Sequence, residues 1–126
     1  MDKVLIVDDS AFDRKMIIKA ITSKDSNVDF TELSNGLSIF DTITKVHPKI
    51  AIVDIRMPGM DGFEILDKIR SIPECTDMPV LMVSGSEQPQ DREMATARGA
   101  NGYFVKPPTA AGYFSLGRTI YDRYLS

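Results

Sequence analysis

Four short apolar runs constrain the fold of this sequence more than any other feature. They occupy residues 4–7, 50–53, 80–83 and 103–105. Continuous apolar runs of this length suit strands that are buried on both faces of a parallel sheet. Each run is followed at once by side chains that can bind phosphate or a divalent metal: Asp8 with Asp9, then Asp54, Ser84 and Lys106. Because ligands bind beyond the carboxyl ends of parallel strands, we expect these side chains to form one site.

Size and charge limit the class of protein. With 126 residues the chain has the length of one domain, and we expect residues 1–126 to form a single domain. A net charge of −3 provides no basic surface for direct binding of nucleic acid. The one cysteine is typical of a reducing compartment, and no apolar stretch approaches the roughly 20 residues that span a bilayer. We therefore expect a cytoplasmic protein that does not enter a membrane.

Strand and helix signals alternate five times along the chain. This alternation, with right-handed crossovers, predicts an α/β fold: a doubly wound parallel sheet of five strands with helices on both faces. The more polar stretch 28–33 predicts a strand at an edge of the sheet. The fourth helix, near residues 89–98, is the least apolar, and a last helix is predicted from 109 to 124.

Two of the predicted helices have a distinct start or face. Ser10 and Asp13 have the spacing of a capping box at the start of the first helix. The apolar face of the second helix is predicted from the helical spacing of Leu37, Phe40 and Ile43, with Val46 as a further candidate.

The adjacent acids Asp8 and Asp9, together with Asp54, indicate a metal site. Three clustered carboxylates repel one another unless a cation lies among them. Mg²⁺ suits such a set, since it binds carboxylate, carbonyl, water and phosphate oxygens. Taken alone, Asp8 and Asp9 are more typical of acids that cap a helix. Asp54 shifts that balance, because an unpaired charge at the end of a buried strand is costly.

Together these elements resemble the receiver domains of two-component response regulators, over essentially the whole chain. The resemblance depends on Asp8-Asp9, on Asp54 with Met57-Pro58 and Asp61-Gly62 behind it, on Ser84-Gly85, and on residues 103–107. Their order and spacing are far more specific than any single motif. The resemblance implies a flavodoxin-like sheet with strand order 2-1-3-4-5.

The resemblance implies a role for each residue of the site. Asp54 is expected to accept a phosphoryl group from the phosphohistidine of a partner. Asp9 is expected to be the principal Mg²⁺ ligand, assisted by Asp8 through water, by Asp54 and by the backbone carbonyl of Arg56. Lys106 is expected to pair with the Asp54 carboxylate and then with a phosphoryl oxygen. No cofactor other than Mg²⁺ is expected.

The resemblance also implies a conformational switch. The Ser84 hydroxyl is expected to donate to a phosphoryl oxygen and to move toward it, which lets the Tyr103 ring swing from outside to inside. The Lys106–Pro107 peptide bond is expected to be cis. Without the resemblance, Tyr103 is more typical of a half-buried strand aromatic. An ordinary surface lysine is the weaker alternative for Lys106, because Pro107 follows it at a strand end.

The implied function is a signalling switch rather than an enzyme. The chain is expected to catalyse only its own phosphorylation and dephosphorylation, with a sensor histidine kinase or a histidine phosphotransferase as donor. The signal is expected to be read at the face formed by the fourth helix, the fifth strand and the last helix. The reader would be an output protein or an effector domain outside this sequence, and a homodimer is also compatible. On the last helix, Phe114, Tyr121 and Leu125 form either a docking face or rim packing.

Other functions compete with this interpretation. A phosphatase or phosphotransferase of the haloacid-dehalogenase kind also forms an aspartyl phosphate. It needs a second aspartate two residues after the nucleophile, whereas residue 56 is arginine and the first strand ends in Asp8-Asp9. A degenerate receiver used only for binding would have lost an acid or the lysine, and this sequence retains them all. A dinucleotide enzyme is disfavoured because no glycine-rich turn follows the first strand.

Overall fold

The fold is built on one parallel sheet. The computed structural model describes residues 1–126, and its strands are β1 (Lys3–Val7), β2 (Asp29–Leu33), β3 (Ile50–Val53), β4 (Val80–Ser84) and β5 (Gly102–Val105). All neighbouring strands are parallel, and the order across the sheet is β2-β1-β3-β4-β5. The predicted doubly wound α/β sheet and its strand order are confirmed. The chain adds β2 on one side of β1 and the later strands on the other side. This reversal of the strand order leaves a crevice at the carboxyl ends of β1 and β3.

Helices connect successive strands. They are α1 (Ala11–Thr22), α2 (Ile39–Val46), α3 (Gly62–Arg70), α4 (Pro89–Ala97) and α5 (Ala110–Ile120). A short 3₁₀ helix spans Pro73–Cys75, and α5 continues into a π-helical turn at Tyr121–Leu125. The predicted last helix therefore changes its winding after Ile120. None of the helices combines the length and the apolar character that crossing a lipid bilayer requires.

The sheet divides the apolar core into two layers. All residues of β3 and β4 are buried, and so are the last four residues of β1. Side chains alternate between the layers, so that Leu5 and Val53 pack with α2 and α3, whereas Ile6 and Ile52 pack with α1 and α5. In contrast, β2 is only partly buried, as its polar sequence predicts for an edge strand.

Helix α2 buries a different face from the one predicted. Leu37 and Phe40 are 85% and 59% exposed, whereas Ile39 and Ile43 are buried. The helix begins only at Ile39, so Leu37 lies in the preceding turn and outside the helical register. Ile39 and Ile43 are four residues apart and therefore share the face that packs on the core. The prediction is correct for Ile43 and wrong for Leu37 and Phe40.

Arg70 holds together the end of the sheet opposite the crevice. Its guanidinium donates five hydrogen bonds of 2.8–3.0 Å, to the carbonyls of Cys75, Met78 and Gly99 and to the side-chain oxygen of Asn101. Helix α3 is thereby tied to the segments that lead into β4 and β5.

Helices α1 and α5 approach each other closely at Gly117. A Cβ at this position would overlap the Ala20 side chain and would lie 2.9 Å from the Ala20 backbone carbon. Glycine inside a helix costs about 1 kcal/mol relative to alanine. The close approach to α1, rather than the needs of α5 itself, explains why a glycine occupies this position.

Gly117→Ala is expected to destabilise the protein by about 1–2 kcal/mol, because overpacking outweighs the gain in helix propensity. Urea unfolding of the variant and the wild type measures the difference. Gly85→Ala is the control, since a Cβ at Gly85 meets no atom within 4 Å. A Gly117→Ala protein as stable as the wild type would contradict the close approach.

Candidate functional site

The carboxyl ends of β1 and β3 bring two acids together. Val7 and Val53 are register partners in these strands, and Asp8 and Asp54 follow them directly. The Asp54 amide donates to the Val7 carbonyl at 2.9 Å, which extends the ladder by one residue. The two acids therefore lie side by side at the edge of the sheet that the apolar runs predict.

Asp9 completes an acidic cluster at this edge. Ligand oxygens from Asp8, Asp9 and Asp54 all lie within 4.8 Å of one another. Asp8 and Asp54 are buried, whereas Asp9 is exposed to solvent. Carboxylate oxygens are the ligands of hard divalent cations, and the exposed side leaves room for water or a further oxygen ligand. The donor set therefore fits Mg²⁺.

Burial is the main reason why the pKa values of Asp8 and Asp54 are raised and these two acids are hard to ionise. Burial raises the pKa of Asp54 to about 6, and the negative charge of Asp8 adds to the effect. Burial also raises the pKa of Asp8, although hydrogen bonds from Ser10 and Lys106 oppose the change. A cation placed among the acids would relieve both costs.

Lys106 brings positive charge to the cluster, and Asp54 is the most distant of its three partners. The Lys106 ammonium donates a hydrogen bond to Asp13 Oδ2 at 2.8 Å and lies 2.9 Å from Asp8 Oδ2. Asp54 Oδ1 is 3.5 Å away. Burial alone would lower the pKa of Lys106, but the hydrogen bonds to Asp13 and Asp8 and the charge of Asp54 outweigh burial and raise it.

Asp13 belongs to this site, although its sequence context predicts only a helix cap. The predicted cap is half correct, because the Asp13 amide donates to Ser10 Oγ at 3.2 Å. The Asp13 carboxylate instead accepts hydrogen bonds from Lys106 and from the hydroxyl of Tyr113, both at 2.8 Å. Burial alone would raise the pKa of Asp13, but these two bonds outweigh it and lower the pKa. The sequence feature that could have placed Asp13 in the site is its position in the first helical turn after Asp8-Asp9.

Ser84 and Tyr103 lie on the neighbouring strands β4 and β5. Ser84 is fully buried, and its Oγ accepts a hydrogen bond from the Ser86 amide at 3.2 Å. The Tyr103 ring is 9% exposed, and its hydroxyl donates to the Ser86 carbonyl at 2.9 Å. The guanidinium of Arg92 lies 4.8 Å from the ring centre. The ring therefore lies inside, at the end point of the expected movement rather than at its start.

The Arg56 side chain reaches from the loop after β3 towards α4. Its Nη2 lies 2.7 Å from Asp91 Oδ2, and Asp91 itself is only 8% exposed. Helix α4 buries a single apolar residue, Ala95, as its polar sequence predicts. The ion pair of Arg56 with Asp91 and the contact of Arg92 with the Tyr103 ring therefore add to the small apolar contact of α4.

The Lys106–Pro107 peptide bond is trans, as is every peptide bond in the structure. The expectation of a cis bond is therefore wrong, and the trans form is the more stable one even before proline. The Lys106 amide donates to the Ser84 carbonyl at 2.7 Å. The hydrogen-bond ladder between β4 and β5 thus continues to Lys106 and fixes the position of the Lys106 backbone.

Of the three residues weighed as a docking face or as rim packing, Phe114 lies on α5, and Tyr121 and Leu125 lie in the π-helical turn that follows it. Leu125 is 4% exposed and belongs to the core layer beneath these helices. The Tyr121 hydroxyl donates to Asp25 at 3.0 Å, just beyond the end of α1. Phe114 is 39% exposed and lines a shallow groove with α1 residues that include Ile18. Rim packing, rather than docking beside α4, explains Tyr121 and Leu125.

Known proteins are similar to this chain in sequence and in fold. The family described as response regulator receiver domain matches residues 4–112. The chemotaxis protein CheY homolog of Campylobacter jejuni is 36% identical over 108 residues, which cover 85% of this chain and 82% of that protein. Sporulation initiation phosphotransferase F of Bacillus subtilis is 30% identical over 106 residues, with coverages of 84% and 82%. The solved structure of Vibrio cholerae chemotaxis protein CheY4 is 30% identical, superimposes with a TM-score of 0.84 and covers 99% of both chains.

Asp54→Asn is expected to stabilise the metal-free protein at pH 7. Burial raises the pKa of Asp54 to about 6 in the folded state, whereas an aspartate in the unfolded chain has a pKa of about 4. As the pH rises from about 4 to above 6, ionisation of Asp54 therefore favours the unfolded state, by up to about 3 kcal/mol. Asparagine has no charge to bury and avoids this cost.

Urea unfolding with a chelator present, at pH 4 and at pH 7, measures this effect. The stability gain of Asp54→Asn should be large at pH 7 and should shrink towards zero at pH 4. Asp29→Asn, which removes an exposed acid at the start of β2, is the control and should show no such gain. A gain of equal size at both pH values would contradict burial of the charge as its cause.

Proposed function

This chain belongs to the response regulator receiver domain family, and we propose that it is a phosphorylation-dependent switch in a two-component phosphorelay. Receiver domains are signalling domains rather than enzymes that turn over an external substrate. The observation that carries the proposal is the convergence of Asp8, Asp9, Asp54 and Lys106 at one edge of the sheet.

In the proposed reaction Asp54 is the nucleophile. One of its carboxylate oxygens bonds to the phosphorus of a partner's phosphohistidine while the phosphorus–nitrogen bond breaks, and the imidazole leaves with that electron pair. The product is an acyl phosphate on Asp54. Such a transfer depends on positioning and charge neutralisation more than on covalent assistance from the protein. Lys106, 3.5 Å from Asp54, is the side chain proposed to pair with a phosphoryl oxygen.

Asp9, Asp8 and Asp54 are proposed to hold Mg²⁺, with the backbone carbonyl of Arg56 as a further ligand. The exposed Asp9 is the proposed principal ligand, and Asp8 assists through water. When bound, the ion supplies positive charge that neutralises phosphoryl oxygens. The short distances among the three carboxylates and the raised pKa of Asp54 support this assignment.

Ser84 and Tyr103 are the proposed relay. The Ser84 hydroxyl would donate to a phosphoryl oxygen, and Ser86 joins Ser84 to Tyr103 because its amide and its carbonyl each bond one of them. A shift of Ser84 would therefore change the support of the Tyr103 ring. Arg92 of α4 covers that ring, so we propose that the change is read on the face formed by α4, β5 and α5.

The proposed phosphodonor is a sensor histidine kinase or a histidine phosphotransferase. The proposed reader is an output protein or an effector domain outside this sequence. Relatives named for chemotaxis and for phosphotransfer in sporulation support a place in a phosphorelay without selecting a pathway. A homodimer and a cytoplasmic location stay predictions.

Phosphorylation is expected on Asp54 alone and only with Mg²⁺ present. Incubation with acetyl phosphate should add the mass of one phosphoryl group to the wild type and none to Asp54→Asn, as measured by intact-protein mass spectrometry. Asp41→Asn, which removes an exposed acid of α2, is the control and should be modified like the wild type. Modification of Asp54→Asn at the wild-type rate would refute the proposed function.

Arg56→Ala is expected to speed the loss of the phosphoryl group without preventing phosphorylation. Hydrolysis needs a water in line with the breaking bond, and a long cationic side chain two residues after Asp54 can block that water or pair with phosphoryl oxygens. Loss of one such contact corresponds to about a fivefold faster decay, or about 1 kcal/mol.

The decay of the phosphorylated mass over time measures this rate. Asp91→Asn is the matched variant, because it keeps the Arg56 guanidinium but removes the carboxylate 2.7 Å from it. Its decay should equal that of the wild type or be slower, since the freed guanidinium can turn to the phosphoryl group. Superimposable traces for Arg56→Ala and the wild type would exclude this role.

A further inference from the structure

Three acids share the ammonium of Lys106, and Asp13 is the one outside the proposed metal and phosphoacceptor set. The Lys106 nitrogen lies 2.8 Å from Asp13, 2.9 Å from Asp8 and 3.5 Å from Asp54. We infer that Asp13 is a positioning residue that competes with the phosphoryl group for Lys106, an inference that rests on the proposed function of Asp54.

The other two acids have different tasks when the site is in use. Asp8 is a proposed metal ligand, and Asp54 is the proposed phosphoacceptor, so both carboxylates acquire other partners. Asp13 acquires none. Its carboxylate is therefore the acid that remains available to Lys106 throughout the cycle, and a charge-assisted hydrogen bond of 2.8 Å is a strong one.

Tyr113 fixes the orientation of the Asp13 carboxylate. Lys106 binds Asp13 Oδ2, whereas the Tyr113 hydroxyl donates to Oδ1 at 2.8 Å. Tyr113 is 5% exposed and lies on α5, within the core layer shared with α1. Burial and the hydrogen bond to Asp13 raise the pKa of Tyr113, so its hydroxyl keeps its proton and stays a donor. The Asp13 carboxylate is thus held in place by the buried side chain of Tyr113.

The negative charge of Asp13 weakens the electrostatic attraction between Lys106 and a phosphoryl group. An ammonium that already neutralises a nearby carboxylate attracts a second anion less strongly. Asp13 therefore lowers the affinity of the site for phosphoryl oxygens. When Lys106 turns towards the phosphoryl group, Tyr113 becomes the main remaining partner of Asp13, and the event at Asp54 is coupled to α5.

Beryllium fluoride with Mg²⁺, a noncovalent analogue of the phosphoryl group, tests this competition in the full chain. Asp13→Asn keeps an oxygen for Tyr113 but loses the charge that attracts Lys106, so the apparent affinity should rise about three- to tenfold. Tyr113→Phe leaves Asp13 charged with Lys106 as its main partner, so the affinity should fall. Asp41→Asn, which removes an exposed acid of α2, is the control and should bind like the wild type. Titrations followed by fluorine NMR measure the apparent affinity for beryllium fluoride of the wild type and of the three variants.

A second background separates competition for the lysine from a general charge effect. In Lys106→Met protein, Asp13→Asn should change the affinity by less than about twofold. The NMR signal of the Lys106 ammonium gives an independent readout, because it should shift in Asp13→Asn and not in Asp41→Asn. If Asp13→Asn fails to fold, the opposite change predicted for Tyr113→Phe still decides the matter.

Two results would overturn the inference. One is equal affinity for the wild type and Asp13→Asn, and the other is an undiminished gain in the Lys106→Met background. A wild type that binds no beryllium fluoride and accepts no phosphoryl group would instead refute the proposed function of Asp54. The two failures are therefore distinguishable.

Discussion

Burial of the central strands on both faces is the constraint on which the rest of the structure depends. The backbone groups of β1, β3 and β4 are shut off from water and must be satisfied within the ladder. Polar side chains can therefore appear only where these strands end. Because Val7 and Val53 are paired, the residues after them are neighbours whatever their chemical type. The position of the site is a property of the sheet, and only its chemistry depends on the residues Asp8 and Asp54.

The chemistry at that edge is dominated by a deficit of positive charge. The carboxylates of Asp8, Asp9, Asp13 and Asp54 gather near the single ammonium of Lys106. A phosphoryl anion would add to this negative charge, so the chain alone is poorly suited to hold it. A divalent cation changes the balance, since it neutralises the buried carboxylates and attracts the phosphoryl oxygens at once. This balance of charges is the reason why phosphorylation is proposed to depend on a metal ion.

Local patterns predicted some features of the molecule and could not predict others. Three of the four apolar runs located the buried strands β1, β3 and β4, and with them the meeting of Asp8 with Asp54. The fourth run lies in β5, which is an edge strand and only partly buried, so the expectation of burial on both faces is wrong there. Strand order came only with the family resemblance, since spacing does not distinguish one order from another. The partner of Asp13 lies 93 positions away, and the same residue type also serves a helix cap. The sequence left open whether Leu125 docks a partner or packs at the rim, because the π-helical turn that places it in the core departs from the 3.6-residue helical period.

The five hydrogen bonds of Arg70 give the two ends of the sheet different responses to their surroundings. A guanidinium stays charged at every pH at which proteins fold, so this end is insensitive to acid. At the other end burial raises the pKa of Asp54 to about 6, so the charge of its carboxylate is sensitive to pH. Amide hydrogens beside Arg70 should exchange with solvent only through large-scale unfolding, whereas those beside Asp54 follow the local state of the site. Protection from exchange is therefore expected to be greater at the Arg70 end, before β4 and β5, than at the Asp54 end, after β3.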